Sequence, residues 1–205
     1  MATPYPANEI KVLSWAEAIR QRLDMYMDVE TPNLACVLVM QSLCHAVDET
    51  VDGRCSTVSM QVMGDRVSVR YDCGMPLTPD ELDPHWTVAE MFLLVMLACS
   101  SRKKHIEVGS EFCAIGLGAL NAVCSDMVVD IVDAGQRAHL RFERGEGGGP
   151  CVLEPSDRED GTCMEFTLDA SVLPDTTLSE AVLRTALDDL AQRFPGLSIS
   201  FSFSA

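Results

Sequence analysis

Positive charge is scarce in this chain. Fifteen Lys and Arg stand against 31 Asp and Glu, a formal net charge of -16, so a phosphate backbone would be repelled rather than neutralised and direct nucleic-acid binding is not expected. Long apolar runs are also lacking. "MFLLVMLAC" (91–99) is nine residues, well short of a membrane span, and "MATPYPANEIK" has no apolar stretch of the kind an export signal needs. Metal-ligand spacing is absent too: the nine cysteines form no C-x-x-C pair and have no histidine at ligand distance, so they read as reduced thiols serving as small apolar residues, with no zinc site and no disulfide frame. Reduced thiols point to a cytoplasmic protein. What is abundant is apolar residues at 47%, enough for one sizeable core in 205 residues.

Periodicity divides the chain into short elements. "VLSWAEAIRQRL" (12–23) places Val12, Trp15, Ala16, Ile19 and Leu23 on one helical face. After Thr31-Pro32 comes a second helix that is apolar nearly all round from Leu34 to Val47, and hence central. "STVSMQVMGDRVSVRYD" (56–72) alternates on both sides of Gly64-Asp65, the pattern of a hairpin. Helices are predicted at 87–99, 113–124 and 178–194, and strands in "MVVDIVD", "QRAHLRFERG", "CVLEP", "GTCMEFTLD" and "LSISFSF". The order α, α, β, β, α, α, β, β, β, β, α, β predicts an α+β domain with helices on one face of a mixed or antiparallel sheet.

Several motifs occur in a fixed order: "IKVL" at 10–13, R-x-R-x-x-M-Y from Arg20 to Tyr26, A-V-D-E-x-x-x-G-x-C from Ala46 to Cys55, "VSV" at 67–69, Ala89-Glu90, G-L-x-A-L-N-A-V from Gly116 to Val123, and D-G-T at 160–162. With these the chain resembles, from Tyr5 to about Phe201, the ATP-binding domain of the DNA gyrase B subunit in the GHKL superfamily. The resemblance implies a two-layer α/β sandwich of the GHKL (Bergerat) type. It further implies one domain over residues 1–205, with residues 1–10 as an N-terminal arm carrying Tyr5 and with no transducer or toprim part.

The chemical positions of that family are altered. Anchored on Ala46-Val47-Asp48-Glu49, the family's water-activating glutamate corresponds to Gln41 and its magnesium-holding asparagine to His45. An amide takes no proton from water near neutral pH, and imidazole is a poor magnesium ligand, so hydrolysis by the family mechanism is expected to be lost. The glycine-rich phosphate loop corresponds to "GSEFCAIG" (109–116), where Glu111 would place an anion against phosphate and Phe112 adds bulk. On the adenine side, Asp72 and Gly74 in "YDCGMP" match the family's D-x-G-x-G turn with a one-residue uncertainty. Thr162 matches a threonine near adenine, and Asp133 replaces an arginine outside the pocket. A displaced base at Asp48 or Glu49 would be the route to a divergent ATPase.

Two functions follow as expectations. In the first, the former nucleotide cleft takes a largely apolar small molecule without any cofactor or metal, with the chain serving as a cyclase or isomerase in specialised metabolism. His45, Gln41 and Asp72 would orient the substrate, and Met40, Cys44, Tyr71, Met75, Phe112, Cys113 and Thr162 would line the site. In the second, the chain is an interaction or decoy module that forms a homodimer through its N-terminal arm or pairs with a gyrase B protein. Neither expectation involves a membrane.

Overall fold

A computed structural model describes residues 12–105, 108–112, 114–149 and 151–204. Tyr5, its arm and Cys113 lie outside the described residues. The N-terminal helix α1 (Trp15–Gln21) opens on a capping box, with the Ser14 hydroxyl accepting from Glu17 N and the Glu17 carboxylate accepting from Ser14 N. Its Arg20, from the R-x-R motif, is nearly buried and donates to the carbonyls of Ala122 (2.9 Å) and Cys124 (3.2 Å) and to the Asp169 carboxylate. The arginine therefore ties α1 to the turn between α6 (Leu117–Ala122) and β3 (Cys124–Asp133).

The central apolar segment is α2 (Leu34–Met40), a 3-10 turn over Gln41–Leu43 and α3 (Cys44–Val51). By length and composition Leu34–Val51 could cross a membrane, at a mean hydropathy of 1.3, yet 83% of it is buried inside the protein. The burial identifies it as a core helix, in line with its nearly uniform apolar surface.

The hairpin expected at 56–72 forms as β1 (Thr57–Met63) and β2 (Arg66–Tyr71), antiparallel with Met63 opposite Arg66. The expected helix at 87–99 is instead two: α4 (Val88–Leu94) and α5 (Ala98–Ser101). Val95 turns extended at φ -110°, ψ 125°, and Gly118 of α6 packs so closely on its carbonyl that a Cβ would lie 2.6 Å away. The close passage of α6 accounts for the break. The helix expected at 113–124 shortens to α6, preceded by a 3-10 turn at Ser110–Phe112.

The remaining elements are β4 (Gln136–Glu143), β5 (Glu146–Gly147), β6 (Glu154–Pro155), β7 (Gly161–Leu168), α7 (Glu180–Arg193) and β8 (Ser198–Ser204). Of the strand expected at 151–155 only Glu154–Pro155 pairs. The eight strands form one sheet in the order β5-β4-β3-β7-β2-β1-β8, with β6 also on β4. It is mixed: β8 runs parallel to β1 and the other pairs are antiparallel. One face, carrying Met60, Val69, Met127, Leu140, Met164 and Phe166, is buried under the helices, and the other carries exposed Arg70, Asp130, Arg137 and His139. The domain is thus the expected two-layer α+β sandwich, with the core between one sheet face and the helices.

Candidate functional site

Gln41 lies where α2 tightens into the 3-10 turn, and only 1% of it is exposed. Its amide nitrogen donates to Val37 O (3.2 Å) and Glu111 O (3.0 Å), and its oxygen accepts from the N–H groups of Ile115 and Gly116, both at 3.0 Å. Both amide protons and both lone pairs of the oxygen are thus engaged by backbone. The side chain expected at the family's general-base position fastens Glu111, Ile115 and Gly116 to the central helix.

His45 does not share that segment. Its Nε2–H donates to Gly74 O (3.0 Å), and its ring lies about 6 Å from those of Tyr71 and Phe92. Burial pulls its pKa below the ordinary imidazole value, more than the Gly74 carbonyl raises it, so the ring is held neutral.

The turn at 73–77 is braced from three sides. The Thr162 hydroxyl donates to Cys73 O (2.9 Å) and accepts from Met75 N (3.1 Å). The Asp133 carboxylate accepts from Leu77 N (3.2 Å), and His45 holds Gly74 from the helix side. Burial raises the Asp133 pKa, partly offset by the Leu77 N–H. Asp133, expected at the position of the family's arginine, is part of the turn's own support.

Tyr71 points into the core and is 4% exposed, whereas Asp72 is exposed and accepts from Ser56 N (2.8 Å), Ser56 Oγ (2.5 Å) and Thr57 N (2.9 Å). Partial burial works against the Asp72 carboxylate, but these hydrogen bonds outweigh it and hold the pKa at about 2. Asp72, expected to orient a ligand, follows the end of β2 and spends its carboxylate on capping the start of β1.

Glu111 also differs from expectation. Its carboxylate pairs with Arg193 of α7 at 2.5 Å, and the same guanidinium lies over the Phe112 ring at 5.4 Å. The anion faces α7 at the surface, not a phosphate position, and Phe112 is buried. Arg193 was not legible as a site residue, because nothing near the end of α7 signals a contact 82 positions earlier in the chain. The two candidate displaced bases are likewise occupied. Asp48 accepts from Lys104 N (3.1 Å) and His105 N (3.0 Å), and Glu49 pairs with Arg54 and with Lys104 Nζ (2.7 Å).

The expected ligand-lining residues Met40, Cys44, Tyr71, Met75, Phe112 and Thr162 do converge on this region, each no more than 5% exposed. They are brought together as packed core and not as the wall of an open cleft. Cys44 is disulfide-bonded, which corrects the reading of all nine thiols as reduced, while Cys36, Cys55, Cys73, Cys99, Cys124, Cys151 and Cys163 are free. Two roomy hollows are present, the first of them bordered also by Tyr71 and Thr162. One of about 930 Å³ sits over the open sheet face beside Arg70 and Asp130, and one of about 1030 Å³ lies beside Arg20 and Phe142. Among the described residues no group of three or more His, Cys, Asp or Glu is placed to hold a metal.

No family model matches the chain. Curated relatives do: it is 26% identical over 202 residues to the DNA gyrase B subunit of Mycoplasma pneumoniae, covering 96% of this chain and 31% of that protein. It is 26% identical over 206 residues to the DNA gyrase B subunit of Helicobacter pylori, covering 96% and 26%. It is also 25% identical over 178 residues to the DNA topoisomerase 4 B subunit of Rickettsia typhi, covering 85% and 27%. The chain therefore spans between a quarter and a third of the length of these relatives. The chain is thus similar, along almost its whole length, to part of the DNA gyrase B subunit.

Proposed function

We propose that this chain is a gyrase-B-like domain that does not hydrolyse ATP and that acts by binding another protein. One observation supports the loss of hydrolysis: the amide of Gln41, expected at the family's general-base position, has its hydrogen-bonding capacity spent on backbone at Val37, Glu111, Ile115 and Gly116. A glutamine so engaged has neither the basicity nor a free lone pair to activate water. Asp48 and Glu49, engaged by backbone and by cations, offer no substitute. Isothermal titration with magnesium and ATP at millimolar concentration is expected to give no binding heat, and a phosphate-release assay no turnover above the blank. Magnesium-dependent binding in the micromolar range would sink the proposal.

A second reading keeps a small apolar guest, and a different observation favours it. The Tyr71 hydroxyl is fully buried beside Thr162 yet makes no well-formed hydrogen bond, and burial pushes its pKa well above 10. An unpaired buried hydroxyl costs about 1–3 kcal/mol, a cost that a guest accepting its proton would remove. The cyclase form of this reading additionally needs substrate space beside Gln41 and His45, where the side chains are packed. Tyr71→Phe separates the readings. Without a guest it should raise stability by about 1 kcal/mol, seen as a higher denaturation midpoint. A Tyr71→Phe protein that is less stable than the wild type when both are purified from cells, although its apoprotein is the more stable of the two, would support the guest.

A further inference from the structure

The strand β8, "SISFSFS", closes one side of the sheet, and its outer edge is left open by the rest of the described chain. Ser198 N donates to Ser56 O, and Ser204 O accepts from Gly64 N, so the even-numbered residues turn their backbone groups toward β1. Ile199, Phe201 and Phe203 consequently present their N–H and C=O groups outward, since these groups alternate in direction along a strand. Among the described residues no strand lies beyond them.

Open edges are ordinarily guarded by lysine, proline, a bulge or shortness, because each unpaired edge can recruit another strand. This one has none of these guards. It is seven residues long, regular in register throughout, and carries no charge in a chain of net charge -16. It also has the same polar pattern in both directions: serines at 198, 200, 202 and 204 alternate with apolar Ile199, Phe201 and Phe203 about a centre at Phe201.

We propose that β8 pairs antiparallel with β8 of a second copy of this chain, about a two-fold axis at Phe201. In that register Phe201 faces Phe201 of the partner copy as a hydrogen-bonded pair, and Ile199 faces Phe203 on either side. All three outward residues of each strand are then satisfied, and serine meets serine on the open sheet face. The two-fold relation makes the contact self-complementary and closed, giving one continuous sheet across the dimer. Neutrality selects the occupant: two chains of charge -16 repel over most of their surfaces, and β8 is a seven-residue stretch that itself carries no carboxylate, with the nearby Glu180 paired to Arg184. Ile199, Phe201 and Phe203 are half-buried against the helical layer, and the Arg184 guanidinium lies 5.2 Å from the Phe201 ring centre, so the strand is held straight for pairing.

The proposal deepens the reading of the chain as an interaction module, and its test fails separately from that reading. Sedimentation velocity on the 205-residue chain at about 50 µM is expected to show a dimer, twice the 22.4 kDa chain mass. Phe201→Pro removes the central outward N–H and no bond to β1, so it should remain folded by circular dichroism and sediment as a monomer. Ser200→Pro removes an N–H that faces β1 and is expected to lower the denaturation midpoint instead. A wild-type monomer at about 50 µM, or a dimer that survives Phe201→Pro but is lost when residues 1–11 are removed, would overturn the strand pairing. Neither result would touch the absence of ATP hydrolysis, which is read by phosphate release.

Discussion

Gln41→Leu is expected to destabilise the domain by about 4 kcal/mol. The substitution keeps the bulk but leaves the N–H groups of Ile115 and Gly116 and the carbonyl of Glu111 without their partner in a buried setting, where each orphaned group costs about 1–3 kcal/mol. Urea titration gives the number. The more telling variant is Gln41→Glu, which puts back the acid found in the family. A carboxylate still accepts from Ile115 and Gly116, but it turns two donated bonds into repulsion against the carbonyls of Val37 and Glu111. Its folded pKa should therefore rise above the unfolded value of about 4.3. The sign follows: the penalty is full at high pH and is relieved as pH falls toward the raised pKa, because the protonated acid again donates. Gln41→Glu is expected to be less stable than the wild type at pH 8, to approach it at pH 5, and to release no phosphate from ATP at either. Recovery of turnover by this single change would show that the pinned loop is no obstacle to nucleotide.

Gly74→Ala is expected to cost about 3 kcal/mol, as large-for-small changes in tight packing do. A Cβ at Gly74 would lie 2.3 Å from Val132 O and 2.6 Å from the Asp133 Cβ, neither of which can yield without moving β3. The turn would have to lift off, taking with it the bonds from His45 and Asp133. Gly53 provides the contrast: it has φ 70° but nothing within 4 Å, so alanine there costs only backbone strain, about 1 kcal/mol. If chemical denaturation places the two variants within error of each other, the turn is not docked on β3 as described. The contrast isolates what Gly74 permits: a close approach of the 73–77 turn to the backbone of β3.

These residues mark the limit of what the sequence discloses. The sheet, the hairpin at Gly64-Asp65 and the central helix followed from alternation and from an all-round apolar surface, which depend on local spacing alone. The break at Val95 did not, because it is imposed by α6 packing from more than 20 residues further on. In the same way Gln41 and His45 were singled out in the sequence, yet both were expected to orient one substrate. The 3-10 turn at Gln41–Leu43 tightens the helix between them, and each side chain closes on a different backbone segment. Asp72 and its neighbour Tyr71 differ by one position and so take opposite settings, exposed and buried, which local spacing alone leaves open.

The parallel pairing of β8 with β1 has a consequence during synthesis. Thr57 pairs with Ser198, 141 residues later in the chain. At roughly 5–20 residues per second a ribosome needs about 7–28 s to cover that distance. Throughout it, the hairpin of β1 and β2 waits with one side unpaired and with Val58, Met60 and Val62 lacking the strand that lies beside them in the finished sheet. The nascent chain is therefore most vulnerable to mispairing between the emergence of the first hairpin and that of the last strand, a window in which a general holding chaperone would have its largest effect on yield.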